Sequence, residues 1–499
     1  ADIQKPSPNN YETATKKNPK MATLQIGKSS QNSGTNMGPV GESYDAEYER
    51  ELVRKLDKHI VPMIMLLYLF SFLDRVNIGN ARLYGLEKEL GLVGNQFQVS
   101  VSILFVTYLL FEIPSNLVLK KFTPRRYIAA IAVAWGLIAT LTGLVNSYRS
   151  LIACRLLLGA VEAGLFPGLT VYLTFFYTRK ELALRIGYLF VSAALAGACG
   201  GLLAYAIGFM EGIGGMKGWR WILIIEGIPT VLLGLVTYWS LADNPETASY
   251  LSEEEKRFMV IRRSRDASQT ASAQELHWRD VRSCFTDWKS WAFASAQFGI
   301  DTMLYGFSTF LPTIIKAIGN WSNPQVQALT IPCYSLGAIS YLIVAYISDK
   351  QQRRALYSLV FAGISIIGYG ILLAPVPSGV HYFGCFMVAV GLYVSVGLPL
   401  AWLPNNCPRY GKRTAASSFQ LTVGNASGIM VPFIYLSKDS PRYITGHAVS
   451  LCMVAWAALV WGFLWWWLSR ANACRDRGEE DSKVSGMSEQ EILELGDES

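Results

Sequence analysis

The sequence predicts an all-α membrane protein with twelve spanning helices in two groups of six. Three observations predict it. Only 16% of the 499 residues are charged against 51% hydrophobic, with a mean hydropathy of +0.27, whereas soluble domains carry about 25% charged residues. Twelve apolar runs approach the roughly 20 residues that cross a bilayer. A charged stretch at 242–290, containing LSEEEKRFMVIRRSRD, divides these runs six and six.

In order, the runs are 60–81, 97–119, 127–145, 151–176, 186–209 and 219–241, then 292–315, 326–347, 355–373, 382–403, 415–435 and 448–468; they are numbered spans 1 to 12. Spans 7 and 11 are the least apolar, carrying Asp301 and a Gly/Asn/Ser cluster. Charge in the loops supports twelve spans over eleven. Loops after even-numbered spans, with the membrane-proximal termini, hold 28 Lys and Arg, and the odd-numbered loops hold 8. Cytoplasmic loops carry the excess of basic residues, so both termini are expected in the cytoplasm. The formal net charge of +7 is then a topological bias and not a nucleic-acid footprint.

The expected organisation is a disordered cytoplasmic tail over 1–46, a six-helix half over 47–241, a cytoplasmic loop over 242–290, a second half over 291–469 and a cytoplasmic tail over 470–499. No signal peptide opens the chain, so span 1 is expected to direct insertion. The central loop predicts amphipathic helices, with Ser252 as N-cap and Glu255 three residues on. Loops 2–3 (LKKFTPRR) and 8–9 (SDKQQRR) each place a basic turn at the same point of their half. Two repeated halves around a midplane site are the layout of secondary transporters. Glycines in AALAGACGG of span 5, and Gly159, Gly164 and Gly168 of span 4, let helices approach closely. The eight cysteines form no metal-ligand spacing and read as small packing residues.

Four charges inside apolar runs point to the functional site: Asp74 and Arg75 in span 1, Arg155 and Glu162 in span 4. Each costs on the order of 2.5–3.5 kcal/mol at the bilayer centre, so such residues face a cavity or one another. Arg155 and Glu162, seven residues apart, share a helix face about 10 Å apart along the axis, with Gly159 leaving a notch between them. Ser71, Asp74, Arg75 and Ile78 share a face of span 1. Adjacent Asp74 and Arg75 point about 100° apart, so one can meet Arg155 or Glu162 while the other faces a ligand. The planar fork of Arg75 suits a carboxylate substrate. Carboxylates in a dry site can take up and release protons near neutral pH, so Asp74 and Glu162 are the candidate proton carriers, with Arg155 their partner in coupling. Asn425 in LTVGNASGIM and Tyr305, beside Asp301 and Gln297, are candidate substrate contacts. Gln420, Asn405 and Asn406 are weaker candidates. Glu112 reads as a packing residue before Pro114, and His381 and His447 as solvated interfacial residues. Nucleophile–base pairs, metal clusters and phosphate loops are lacking, which argues against an enzyme.

The stretches SFLDRVNIGNARLYGLEKEL, LFEIPSNLVLKKF, CRLLLGAVEAGLFPGLTVYLTFFYTRKE, GWRWILIIEGIPT and PRYITGH resemble the anion:cation symporter branch of the major facilitator superfamily. The closer resemblance is to its fungal allantoate-permease-like group, and most of all to the sequences called nicotinate permeases. It covers residues 51 to about 470. It implies a major facilitator fold, with proton and substrate machinery on Asp74, Arg75, Arg155 and Glu162 and the span 11 Asn on Asn425. The superfamily's loop 2–3 signature, with a glycine and an Asp-Arg pair, is missing from LKKFTPRR. Span 5 has no Gly-Pro element, which argues against the drug-exporter branch. The expected function is import of a small organic anion, a monocarboxylate such as nicotinate, by proton symport across the plasma membrane. The proton gradient is the driving force, no cofactor is needed, and the partners are the anion, protons and lipid around a monomer. An antiport exporter and a non-transporting nutrient sensor are the alternatives.

Overall fold

A computed structural model describes residues 46–119, 122–266, 278–407 and 410–477. Among them every long element is helical. The spans are Ala46–Leu83, Gln96–Leu119, Pro124–Thr142, the pair Tyr148–Glu162 and Leu165–Phe176, Arg179–Gly208 and Gly218–Ser240. In the second half they are Trp288–Ile318, Asn323–Gln351, Arg354–Leu373, Ser378–Asn405, Tyr410–Ile434 and Ile444–Asp476. Local signals set the boundaries. Thr123, extended, precedes Pro124 at the first turn of span 3. Ser147 and Ser150 cap span 4 reciprocally, as Ser322 and Gln325 cap span 8.

Among the described residues, eight helices are long and apolar enough to cross a bilayer by length and composition. Spans 3, 7 and 11 fall short of that composition, and span 2 is apolar but counts only over the shorter stretch Gln96–Glu112. For span 7 the reason is its position: residues 299–315 are buried without interruption inside the protein, so little of it needs to match lipid. Span 1 is longer than its apolar core predicts. Its 38 residues reach about 57 Å, and the polar first turns leave the membrane to meet the central loop. There Glu255 caps its helix as the sequence suggests, accepting the Ser252 backbone N–H at 2.6 Å while Ser252 Oγ accepts the Glu255 N–H at 3.2 Å. That helix, Glu253–Asp266, is tied to span 1 by Lys55–Glu255 at 2.8 Å and Arg262–Glu49 at 2.6 Å. The expected tails lie outside the described residues except for 46 and 470–477.

Span 4 departs from the single run predicted. It breaks at 163–164, because Pro167 has no N–H for the carbonyl of Ala163 and its ring crowds that position. Gly164 permits the bend to pack: a Cβ there would lie 2.1 Å from Tyr127 Oη.

The two halves touch along spans 5 and 8, 2 and 11, and 1 and 7. A Cβ on Gly79 would lie 2.0 Å from the Thr309 carbonyl oxygen, and one on Gly201 would lie 2.4 Å from Thr330 Oγ1. Gln327 donates to Asn80 at 3.1 Å, and Asn323 to the Leu83 carbonyl at 3.0 Å. Spans 2 and 11 join where Ser102 donates to the Ile429 carbonyl at 2.8 Å. Inside these contacts the halves diverge around a cavity.

Candidate functional site

Span 1 presents Ser71 and Arg75, one turn apart, to the last residue of the first segment of span 4. Ser71 Oγ donates to Glu162 Oε1 at 2.5 Å, and Arg75 Nε donates to the same oxygen at 2.7 Å. Glu162 is closed off completely, whereas the Arg75 side chain keeps 12% exposure. The break after Glu162 leaves that side chain at a helix end aimed at span 1. The guanidinium of Arg75 lies 4.8 Å over the Tyr108 ring, a cation–π contact that strengthens in a dry site.

Arg75 lines a narrow cavity whose walls include Tyr68, Tyr108, Phe166, Phe190 and Tyr393. The second half contributes neutral hydrogen-bonding groups. Tyr305 Oη donates to Asn425 Oδ1 at 2.5 Å, Gln297 donates to Asp301 at 2.8 Å, and Gln420 donates to Gln297 at 3.1 Å. Gly424 brings span 11 against Asp301, since a Cβ there would sit 2.2 Å from Asp301 Oδ2.

Arg75, Tyr305 and Asn425 therefore border one hollow, and Glu162 is held behind Arg75. Asp74 does not border it. It is buried and turned into the first half, where Oδ2 accepts the Trp135 indole N–H at 2.5 Å and Oδ1 has no hydrogen-bond partner among the described residues. Arg155 borders a smaller cavity with Arg75, Tyr305, Ser308 and Thr309; its Nε also lacks a partner among the described residues. The notch at Gly159 is filled by span 2, because a Cβ there would lie 2.2 Å from the Leu104 carbonyl oxygen. Asn405 and Asn406 stand apart from the cavity, Asn406 donating to the Trp402 carbonyl.

The structure corrects or adds to several sequence readings. Glu112 reaches across to the other half, accepting the Thr422 hydroxyl at 3.2 Å. His447 is buried, with Tyr369 and Tyr435 rings around it, so it is not solvated. Glu226 of span 6 is a further buried acid. Its signal, a lone acid in the apolar run GWRWILIIEGIPT, was the same one that exposed Asp74.

Residues 64–432 match the family model described as Major Facilitator Superfamily. The chain belongs to this superfamily. An uncharacterized transporter of Schizosaccharomyces pombe is 41% identical over 88% of this chain and 87% of its own length. A high-affinity nicotinic acid transporter of Saccharomyces cerevisiae is 36% identical over 81% of this chain and 75% of its own length. A D-xylose-proton symporter shares the fold with a TM-score of 0.62 at 14% identity, covering 81% of this chain and 96% of the other. A bacterial homolog of the human lysosomal transporter Spinster, in an inward-facing and unoccupied conformation, has a TM-score of 0.62 at 15% identity, covering 81% and 95%. This superfamily member is thus a multi-pass membrane transporter and not an enzyme.

Proposed function

We propose that the protein imports a small aromatic monocarboxylate, with nicotinate as the first candidate, together with protons by alternating access. The observation that carries this reading is Arg75, a permanently charged fork set among aromatic rings and half-committed to Glu162. A carboxylate can take the guanidinium bidentately, the rings can stack on a flat heterocycle, and Tyr305 and Asn425 offer polar contacts to its far edge. The yeast relative that carries nicotinic acid supports the choice of substrate.

The ion pair also supplies a coupling device. An anion arriving at Arg75 competes with Glu162, and a buried acid stripped of its cation is costly. A proton that forms an O–H bond on Glu162 frees Arg75 for the anion, so the two ligands favour each other. Asp74 is the second proton carrier of this scheme and Arg155 its counter-charge. The proton also offsets the anion's charge, which an inside-negative membrane opposes by about 2.3 kcal/mol per 100 mV. The basic loops at the end bearing the termini fit a plasma-membrane protein with both termini in the cytoplasm.

Uptake of labelled nicotinate, pantothenate, biotin and allantoate in cells lacking their own permeases, at several external pH values, tests the proposal. Saturable nicotinate uptake that rises as the outside is acidified is expected. Uptake indifferent to pH, or left unchanged by Asp74→Asn, removes the symport mechanism.

A further inference from the structure

The deep charges of the first half do not balance. From the sequence they are two cations and two acids; the fold adds Glu226 as a third acid. Arg75 and Arg155 face Asp74, Glu162 and Glu226, all within the core of spans 1, 4 and 6. Neighbouring buried arginines are already matched: Arg82 with Glu87 at 3.0 Å, Arg185 with Asp57 at 2.6 Å and Arg220 with Glu89 at 2.9 Å. Counting Glu112, which faces Thr422 of the other half, would only deepen the shortage of cations.

Glu226 is 1% exposed, and neither of its carboxyl oxygens has a hydrogen-bond partner among the described residues. It cannot swing out to find one. A Cβ on the adjacent Gly227 would lie 2.6 Å from the Thr140 backbone nitrogen, so span 6 is pressed against span 3. Trp135 of span 3, fully buried, gives its N–H to Asp74 instead. The titratable groups that act on this place are Asp74 of span 1 and Cys199 of span 5, while Asp74 also feels Arg155 and Glu162 of span 4. Asp74 has the Trp135 indole N–H, the Asn77 amide and the Arg155 guanidinium near it, Glu226 has no hydrogen-bond partner among the described residues, and ionising both carboxylates in this dry core is costly.

We propose that Asp74 and Glu226 form a carboxyl pair that holds one exchangeable proton, making Glu226 a proton-binding residue of the transport cycle. The proton comes from water, forms an O–H bond on one carboxyl of the pair and leaves the other as a carboxylate countered by Arg155. Its release breaks that bond and returns the proton to water. The inference rests on the symport reading and adds a proton site that does not border the anion cavity.

Proteoliposomes holding the purified full chain test it with labelled nicotinate. In the wild type, the logarithm of uptake against external pH should fall with a slope of about two, one proton for Glu162 and one for the pair. Glu226→Gln should lower the slope to about one, and Glu226→Asp should keep it near two. Infrared spectra of glutamate-labelled protein at neutral pH should show the carbonyl stretch of a protonated, dry carboxyl. The band should disappear in Glu226→Gln and move in Glu226→Asp. Pairing of wild-type proton dependence with an unaltered slope and band in Glu226→Gln overturns the inference and leaves symport standing. Wild-type uptake blind to pH overturns symport, while the band still decides the pair. Should Glu226→Gln fail to fold, a band unmoved in Glu226→Asp overturns the inference.

Discussion

The two halves meet the cavity with different chemistry. The first half brings a cation, Arg75, backed by Glu162, and keeps Asp74, Arg155 and Glu226 behind it. The second half brings Gln297, Tyr305 and Asn425, with Gln420 behind Gln297 and one acid, Asp301, already taken by an amide. Ionised groups are costly in a low-dielectric interior and are kept where charge must be gripped or moved. Neutral hydrogen-bonding groups discriminate shape at small cost. On the proposed symport the difference divides the labour: coupling falls to the first half, and recognition of the uncharged part of the substrate to the second.

The largest effect that would break this comparison is at Arg75. Arg75→Ala strands Glu162 without its guanidinium and removes the anion's partner, a loss of about 2–5 kcal/mol. Equilibrium binding of labelled nicotinate should weaken by roughly 30-fold to several thousand-fold, and Arg75→Lys should not restore it because the planar fork is gone. Retained binding would move recognition elsewhere. In the second half, Asn425→Ala or Tyr305→Phe deletes one neutral hydrogen bond, about 1 kcal/mol or roughly five-fold in affinity. The pH response of uptake should stay as in the wild type, and a lost response would place coupling in both halves.

A smaller effect is expected at the connecting segment, which is itself shared between the halves: Glu253–Asp266 clips to the first through Lys55, and Asp287 holds Lys412 of the second at 3.0 Å. Burial pushes the Glu255 carboxyl up, but hydrogen bonds from Lys55 and the Ser252 N–H prevail and hold it below its ordinary 4.5. A lowered acid stabilises the fold above its unfolded value and loses that contribution as pH falls through the lowered one. Lys55→Ala should therefore cost less than about 1 kcal/mol at neutral pH in thermal unfolding, the pair being partly exposed, and nothing at strongly acidic pH. The smallest effect is the sharpest comparison. Asp301→Asn, which keeps a partner for Gln297, should leave the pH profile of uptake in place.

The span count, the central loop with its Ser252–Glu255 cap and the charged residues of spans 1 and 4 were all legible, because a charge in lipid and a cap before a helix are local signals. Three things were not. The rotation of each helix is set by packing, so the sequence could place Asp74 and Arg75 100° apart but not say which one faces the cavity. The break in span 4 depends on Pro167 and a tight approach by Tyr127, and the apolar pattern runs through it without a change. The pairing of Trp135 with Asp74 joins residues 61 positions apart, and no periodicity reports that. Span 7 shows the reverse case. Its polar residues weakened it as a membrane helix, and they are the ones its burial accounts for.

Gly79 carries a practical consequence. With the Thr309 carbonyl where its own side chain would begin, a single methyl at this position acts as a wedge driven into the shut end of the molecule. A cysteine placed there has no room beside span 7 in this arrangement and gains it only once the seam parts. Its rate of alkylation from the opposite side of the membrane would then clock the time the protein spends facing the other way, with no substrate needed to read it.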